Sequence, residues 1–475
     1  MNSNRRLFFT RLATAGAAIT AGVKSLAGQE SKIATPAVTE PFSPIVTPDL
    51  AKLPYTLVNG VKEFHLVPEV ITTELIPGRP MTGWGYNGSV PGPSIEVQEG
   101  DRVRIVVENR LPEPTSMHWH GLEVPFEMDG VPGVVQDPIQ PGGTYTYEFT
   151  LEQNGTFFYH SHMAMQEMMG MIGLFIVHPK QAHAPKVDRD FGIILQEFTL
   201  KPNNPVPNTL AMEFNWLTMN GKAGPATTPM IVKVGERVRI RLVNLGMDHH
   251  PIHLHGTQFV VTGSEGGRAP ETTWAPGNTV LVGVAQAKDI EFVMKKPGDW
   301  MMHCHMPHHG MNQMVSMVGP VSGMEYPKND AAKKQVAGYP QDMWMVMDEP
   351  FKGKPETMGL RPTWSAGMMG MMTLVRALTP EQFDRVMAAK GEAPTAAAAK
   401  PGSHTLVGRV EVVGAGRLTV NHSKVEGWMD AMTMAYPVDK PEALSNLKVG
   451  DQISATVFDG DMTLHDVKVV PSTNK

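Results

Sequence analysis

Four tripeptides in this chain place two histidines one residue apart: HWH at 118–120, HSH at 160–162, HLH at 253–255 and HCH at 303–305. On an extended strand residues i and i+2 point to one face and i+1 to the other, so each tripeptide aims two imidazoles in one direction. The eight residues are His118, His120, His160, His162, His253, His255, His303 and His305. Eight converging imidazoles exceed what one tetrahedral ion takes, and the expected site is polynuclear. The middle residue of the last tripeptide is Cys304, the only cysteine among 475 residues. It has no partner for an internal disulfide, and strand geometry turns it away from its neighbours, toward a second site. Spacing offers that site His250, three residues before His253, with His309 and Met314 five and ten residues after the thiol. Two imidazoles, a thiolate and a weak axial thioether are the blue-copper ligand set, suited to one-electron transfer. The thiolate then holds an electron-entry ion, and the flanking imidazoles of His303 and His305 hand each electron to the cluster.

The elements that must position these residues come in two copies. IEVQEGDRVRIVVENRLPEPTSMHWHG (95–121) is answered by IVKVGERVRIRLVNLGMDHHPIHLHG (231–256), with Gly100, His118 and His120 each 135 positions before Gly235, His253 and His255. A second pair of segments puts His160 and His162 at 143 positions before His303 and His305, with Ser161 where the later copy has Cys304. Constant offsets mark a duplicated domain. Alternating runs such as VRIVVEN, YTYEFTL and RVRIRLVN, punctuated by PGG, QEGD and KPGD, read as short strands and turns. An all-β chain follows, with two Greek-key β-sandwiches over 45–180 and 185–322. Residues 323–402 show no strand pattern and heavy methionine use; they include a capped helix over 379–390 and a linker, GEAPTAAAAKPGS. Alternation returns over 403–475, where five short strands predict a small OB-like barrel.

Composition sets the remaining bounds. The 41% hydrophobic content can build several cores, and a net charge of −6 without excess Lys or Arg argues against nucleic acid as a partner. The opening MNSNRRLFFTRLATAGAAITAGVKSLAGQE has paired Arg5 and Arg6 before a short apolar, Ala-rich run, which reads as a twin-arginine export signal over 1–27. Its apolar stretch is too short to span a bilayer, so the mature protein is expected in the periplasm with no membrane segment.

HWHG, HSH, HPIHLH and HCHMPHH together resemble the four motifs of the multicopper oxidases, over about 45–320. The resemblance implies two cupredoxin-like domains holding one type 1, one type 2 and two type 3 coppers. By position, His118 and His253 would take type 2 copper. The type 3 pair would take His120, His160, His162, His255, His303 and His305, and type 1 copper would take His250, Cys304, His309 and Met314. The family reduces O2 to water with electrons from a small reductant, and Asp129 stands where it keeps an acid near the cluster. Gly310 replaces an acidic residue found in some relatives, leaving Glu167 as a substitute for the second proton route. Laccases insert a middle domain between the motif pairs, and His162 and His250 are too close for one. The chain thus resembles the two-domain oxidases, for which neighbouring subunits complete the cluster head to tail in a homotrimer.

The stretch HSKVEGWMDAMTMAYPV in the small barrel resembles CusF-type periplasmic copper-binding domains. The resemblance implies an additional Cu(I) ion held by His422, Met432 and Met434, with Trp428 capping it. Thioether sulfur selects Cu(I). The methionines at 163–171 and 368–372 read either as packing for irregular cores or as transient Cu(I) ligands. The leading expectation is a cuprous oxidase fed by its own copper domain. Its rivals are a laccase-like phenol oxidase whose tail loads the cofactor, and a non-enzymatic copper store or carrier.

Overall fold

The structure, a computed structural model, describes residues 42–475 except 164, 202–203, 313–347, 392–402, 415, 427–428, 441, 443, 445–446, 459–460 and 471–475. The expected export segment at 1–27, Met314 and Trp428 fall outside the described residues.

Alternation builds the first sandwich. In Arg102–Glu108 the inward Val103, Ile105 and Val107 are fully buried, each side chain worth roughly 1.5–3 kcal/mol of transfer free energy. The outward Arg104 pairs with Glu63 at 2.9 Å and Glu148 at 2.7 Å on the two adjacent strands. This sheet (Tyr55–Val58, Val61–Leu66, Arg102–Glu108, Thr144–Thr150) shares a core with a second, ordered Ile95–Gln98, Ile172–His178, Gly155–Ser161, Met117–His120. Trp119, the centre of HWH, fills that core against Tyr147 with ring centroids 5.1 Å apart. Burying the indole between the two histidines is what turns both imidazoles to the other face.

The second sandwich sets an eight-stranded sheet, which includes Arg189–Phe198, Arg237–Asn244 and Gln286–Val293, over a five-stranded one. The smaller sheet runs Met230–Lys233, Met372–Leu378, Gly298–Cys304, His250–Leu254, Thr279–Val282. The strand Met372–Leu378 corrects the expectation that 323–402 only connects: it lies between Met230–Lys233 and the HCH strand, pairing His303 with Met372. Its seven residues are all buried, so it carries no alternation to read. The helix after it, Pro380–Ala389, has the expected Thr379 cap, closed by a capping box with Gln382, and buries Phe383, Val386 and Met387 against Ile231 and Leu378.

A third cluster joins the sandwiches. Phe158, Ile172, Leu174 and Ile176 of the first meet Ile194, Val243, Leu245 and Ala287 of the second. At its edge the buried Arg241 donates to Thr156 Oγ1 at 2.7 Å and pairs with Asp190 at 3.0 Å, while Thr156 donates to Asp289 at 2.7 Å. Asp190 is held well below the usual carboxylate range by Arg239 and Arg241, which outweigh its burial.

The C-terminal sheet is ordered Met432–Pro437, Arg417–His422, Ser403–Gly414, Gln452–Phe458, Asp461–Val469 around its own core. Val438 and Leu464 bridge its two edges in parallel, which closes the sheet into the expected barrel.

Candidate metal centres

Register makes the two sandwiches chemically parallel. In the first, His118 lies opposite His160 and Met117 opposite Ser161; in the second, His253 lies opposite His303 and Ile252 opposite Cys304. The cysteine therefore faces the core, and its neighbouring imidazoles face the other way.

On the core side, Cys304 Sγ is 3.4 Å from His309 Nδ1 and 3.8 Å from His250 Nδ1, and the two nitrogens are 3.2 Å apart. All three residues are buried, and their ligand atoms lie within 4.8 Å of one another. Burial pushes the thiol up to about 12, so a bound cation is what would ionise it. A dry pocket converging two imidazoles and one sulfur fits a single copper ion.

The chain after the site helps build it. Cys304 N–H donates to Met371 O at 3.0 Å, and Met371 N–H donates to His309 O at 2.8 Å. Gly370, at φ +61°, presses so close that a Cβ would sit 2.2 Å from His309 O. Met171, Met368, Met371 and Met372 are all buried, as the core-packing alternative requires, whereas Met165 is exposed.

The imidazoles on the other face form two quartets. His118 has ring centroids 5.7, 5.3 and 5.4 Å from His120, His160 and His162. His253 has them 4.9, 5.7 and 5.6 Å from His255, His303 and His305. In both, Nδ1 of the paired residues is tied to a backbone carbonyl: His118 to Asp129 at 2.8 Å, His160 to Ser161 at 2.9 Å, His253 to Asn278 at 2.7 Å and His303 to Cys304 at 2.9 Å. A proton held on Nδ1 leaves the Nε2 lone pair for a metal. Burial lowers His120 to about 4 and His160 to about 3, with neighbouring imidazoles adding to it, so both are neutral and ready to ligate at pH 7. His162, His255 and His305 are exposed in the single chain.

Two acids flank the first quartet. Asp129 Oδ1 is 3.4 Å from His118 Nδ1. The turn beyond it needs Gly130, at φ +83°, because a Cβ there would lie 1.7 Å from Met117 O. Glu167 Oε1 is 3.1 Å from His160 Nδ1, and burial raises its carboxyl to about 7.

Sequence reading missed three features. The buried Glu197 contacts His250 Nε2 at 3.1 Å, and Asp248 Oδ2 lies 3.4 Å from His309 Nε2. The third was visible in the repeat: the same offsets carry His250, Cys304 and His309 onto Thr115, Ser161 and Gln166. There Thr115 Oγ1 and Ser161 Oγ donate to Gln166 Oε1 at 2.8 and 2.6 Å. The first sandwich fills the equivalent pocket with neutral hydrogen bonds where the second has metal ligands.

In the barrel, His422 lies opposite Met432, and Val420 lies opposite Met434. His422 is 1% exposed, its Nδ1 donates to Ser423 O at 2.8 Å, and the Tyr436 hydroxyl donates to its Nε2 at 2.7 Å. That hydroxyl also lies 3.6 Å from Met429 Sδ. Neither Tyr436 nor Met429 was expected at this site.

Sandwiches that pair imidazole quartets with a His2Cys pocket define a class of copper protein, and comparison with known proteins makes it specific. Residues 70–182 and 199–321 match two multicopper oxidase families, and 403–469 match the copper-binding periplasmic protein CusF. Copper resistance protein A of Pseudomonas syringae pv. tomato is 31% identical over 241 residues, 40% of this chain and 40% of its own length. Copper resistance protein A of Escherichia coli is 43% identical over 113 residues, 24% of this chain and 19% of its own. The chain thus spans less than half the length of these curated relatives. A blue copper oxidase from Nitrosomonas europaea, known as a crystal structure, is 35% identical over 53% of this chain and 81% of its own, with a TM-score of 0.49. The chain belongs to the multicopper oxidases and carries a C-terminal CusF domain. The family binds type 1, type 2 and type 3 copper.

Proposed function

We propose that this is an exported oxidase for copper tolerance, taking one electron from each of four Cu(I) ions and giving four Cu(II). The electrons and four protons convert one O2 to two water molecules. The observation that carries this reading is the HCH strand, which turns Cys304 into the His250–His309 pocket and His303 into the second sandwich's quartet on the other face. His250, Cys304 and His309, with Met314, would hold type 1 copper. His118 and His253 would hold type 2, and His120, His160, His162, His255, His303 and His305 the type 3 pair. Bound there, copper supplies one-electron redox chemistry and the binding of O2.

The chain's own groups do the rest. Asp248, its carboxylate 37% exposed beside His309, makes the entry side anionic and favours a cationic reductant over a neutral phenol. Asp129 and Glu167 stand where protons are needed, and Glu167, raised to about 7 by burial, is poised to take up and release one near neutral pH. Exposure of His162, His255 and His305 leaves each quartet open to a partner. Head-to-tail contact of one copy's first sandwich with the next copy's second, closed as a trimer, would complete three eight-histidine clusters. His422, Met432 and Met434 would carry substrate Cu(I), with Trp428 as its cap. The paired arginines at the N-terminus and the CusF domain both support a periplasmic location reached by twin-arginine export.

Steady-state O2 uptake with Cu(I) or a phenol as the only reductant tests the assignment. Faster turnover with Cu(I) is expected, and turnover with the phenol alone would return the chain to the laccase-like reading.

A further inference from the structure

We infer that Glu197 is the positioning residue of the electron-entry pocket: it fixes the orientation and tautomer of His250 and supplies the negative charge that sets how readily the pocket's ion is reduced. This rests on reading His250, Cys304 and His309 as copper ligands. Glu197 comes from Arg189–Phe198, a strand of the larger sheet of the second sandwich, and its side chain is 0% exposed. Three N–H groups converge on its carboxylate. Oε1 accepts from the backbone N–H of Met247 and, at 2.9 Å, from that of Asp248, while Oε2 accepts from His250 Nε2 at 3.1 Å.

Three donors on one buried group match a carboxylate, which only accepts. Two of them close the turn leading into the His250–Leu254 strand, where Gly246 lies so near that a Cβ would be 1.9 Å from Glu197 Oε2. The third holds the proton on His250 Nε2. Nδ1 is then left with its lone pair, aimed at Cys304 Sγ and His309 Nδ1. A carboxylate on the far nitrogen of a ligating imidazole raises its basicity and orients its ring. A buried anion this close, with water excluded, also favours the more positive oxidation state.

The contrast inside the chain points the same way. His309, the other imidazole of the pocket, faces a half-exposed carboxylate at 3.4 Å, where solvent screens it. Only on the His250 side is the carboxylate dry, so the charge effect is expected to come mainly from Glu197.

The test is potentiometric titration of the visible thiolate–copper band in the copper-loaded wild type and in Glu197→Gln, an isosteric change that removes the charge. The variant should keep the band but become easier to reduce. Its reduced-to-oxidised ratio at a fixed potential should rise about tenfold, equivalent to about 59 mV for one electron. A purely structural role would leave the midpoint unmoved, and a ratio within twofold of the wild type overturns the inference. Should Glu197→Gln take up no type 1 copper, 15N-histidine NMR of the Cu(I)-loaded, diamagnetic wild type decides. The expected signal is a slowly exchanging proton on His250 Nε2, and a proton-free Nε2 overturns the assignment. A wild type without the thiolate–copper band would instead sink the reading of the pocket, and the inference with it.

Discussion

At the scale of single residues, the first quartet predicts how the copper-free protein responds to acid. His120 and His160 are lowered to about 4 and about 3, chiefly by burial, from an ordinary value near 6.5. Between those limits the unfolded chain binds protons that the folded chain refuses. Stability from these residues is complete above about pH 6.5 and is lost as pH falls toward 4 and then 3. For His160 alone the loss between pH 6.5 and 4 is at most about 3 kcal/mol, from 1.36 kcal/mol per unit. Glu167 works in the opposite sense: its carboxyl is raised to about 7, so its contribution is complete below about pH 4.5 and lost as pH rises through 7. The melting temperature of copper-free protein should therefore fall from pH 6.5 to 4, and Glu167→Gln, by removing the opposing group, should steepen the fall. A flat profile in both proteins would contradict this account. The histidines were legible in the sequence because strand geometry makes His-x-His a local signal. Glu197 and Asp248 were not, because nothing in a sequence pairs a carboxylate with a ligand 53 residues away, as it does for Glu197 and His250.

At the scale of elements, the pocket of His250, Cys304 and His309 is built in part by a strand whose sequence reads as a linker. Met372–Leu378 enters the smaller sheet of the second sandwich beside the HCH strand, and the turn before it is fixed by Asn312, whose amide donates to Gly224 O and whose oxygen accepts from Gly370 N–H, both at 2.9 Å. Gly370→Ala puts a Cβ against His309 O and Met311 N in a left-handed backbone conformation. The cost should be roughly 1–3 kcal/mol. Because the strain falls on His309 and not on the quartets, the visible thiolate–copper band should weaken or shift while most of the remaining copper is retained. Metal analysis beside the optical spectrum checks this, and equal loss from every site would refute it. The sandwich strands with one solvent face, such as Arg102–Glu108, were legible because their burial alternates. Met372–Leu378 was not, because both its faces are covered and the methionines before it mask where it begins.

At the scale of the whole molecule, the duplicated sandwiches and the barrel were legible from offsets and spacing, whereas a cluster shared between copies is implied by the family resemblance alone. If a neighbouring copy completes the site at the exposed His162, His255 and His305, as proposed, light scattering of the copper-loaded protein should report three copies. A fully active monomer would sink the shared cluster. The role proposed for the barrel is tested separately. Tethering a Cu(I) carrier to the oxidase raises its local concentration to about millimolar, an advantage that matters only when free Cu(I) is scarce. Deleting residues after 395, or changing Met432 and Met434 together, should slow oxidation of limiting Cu(I) several-fold and leave saturating Cu(I) and phenol turnover nearly unchanged. Tyr436→Phe should act in the other direction: it removes the hydroxyl that donates to His422 Nε2, so the nitrogen is released to the ion and Cu(I) affinity rises. Delivery fails as an account if the truncated protein keeps its full rate at limiting Cu(I). It fails equally if phenol turnover drops as far, because the barrel would then stabilise or load the oxidase, with no part in feeding it.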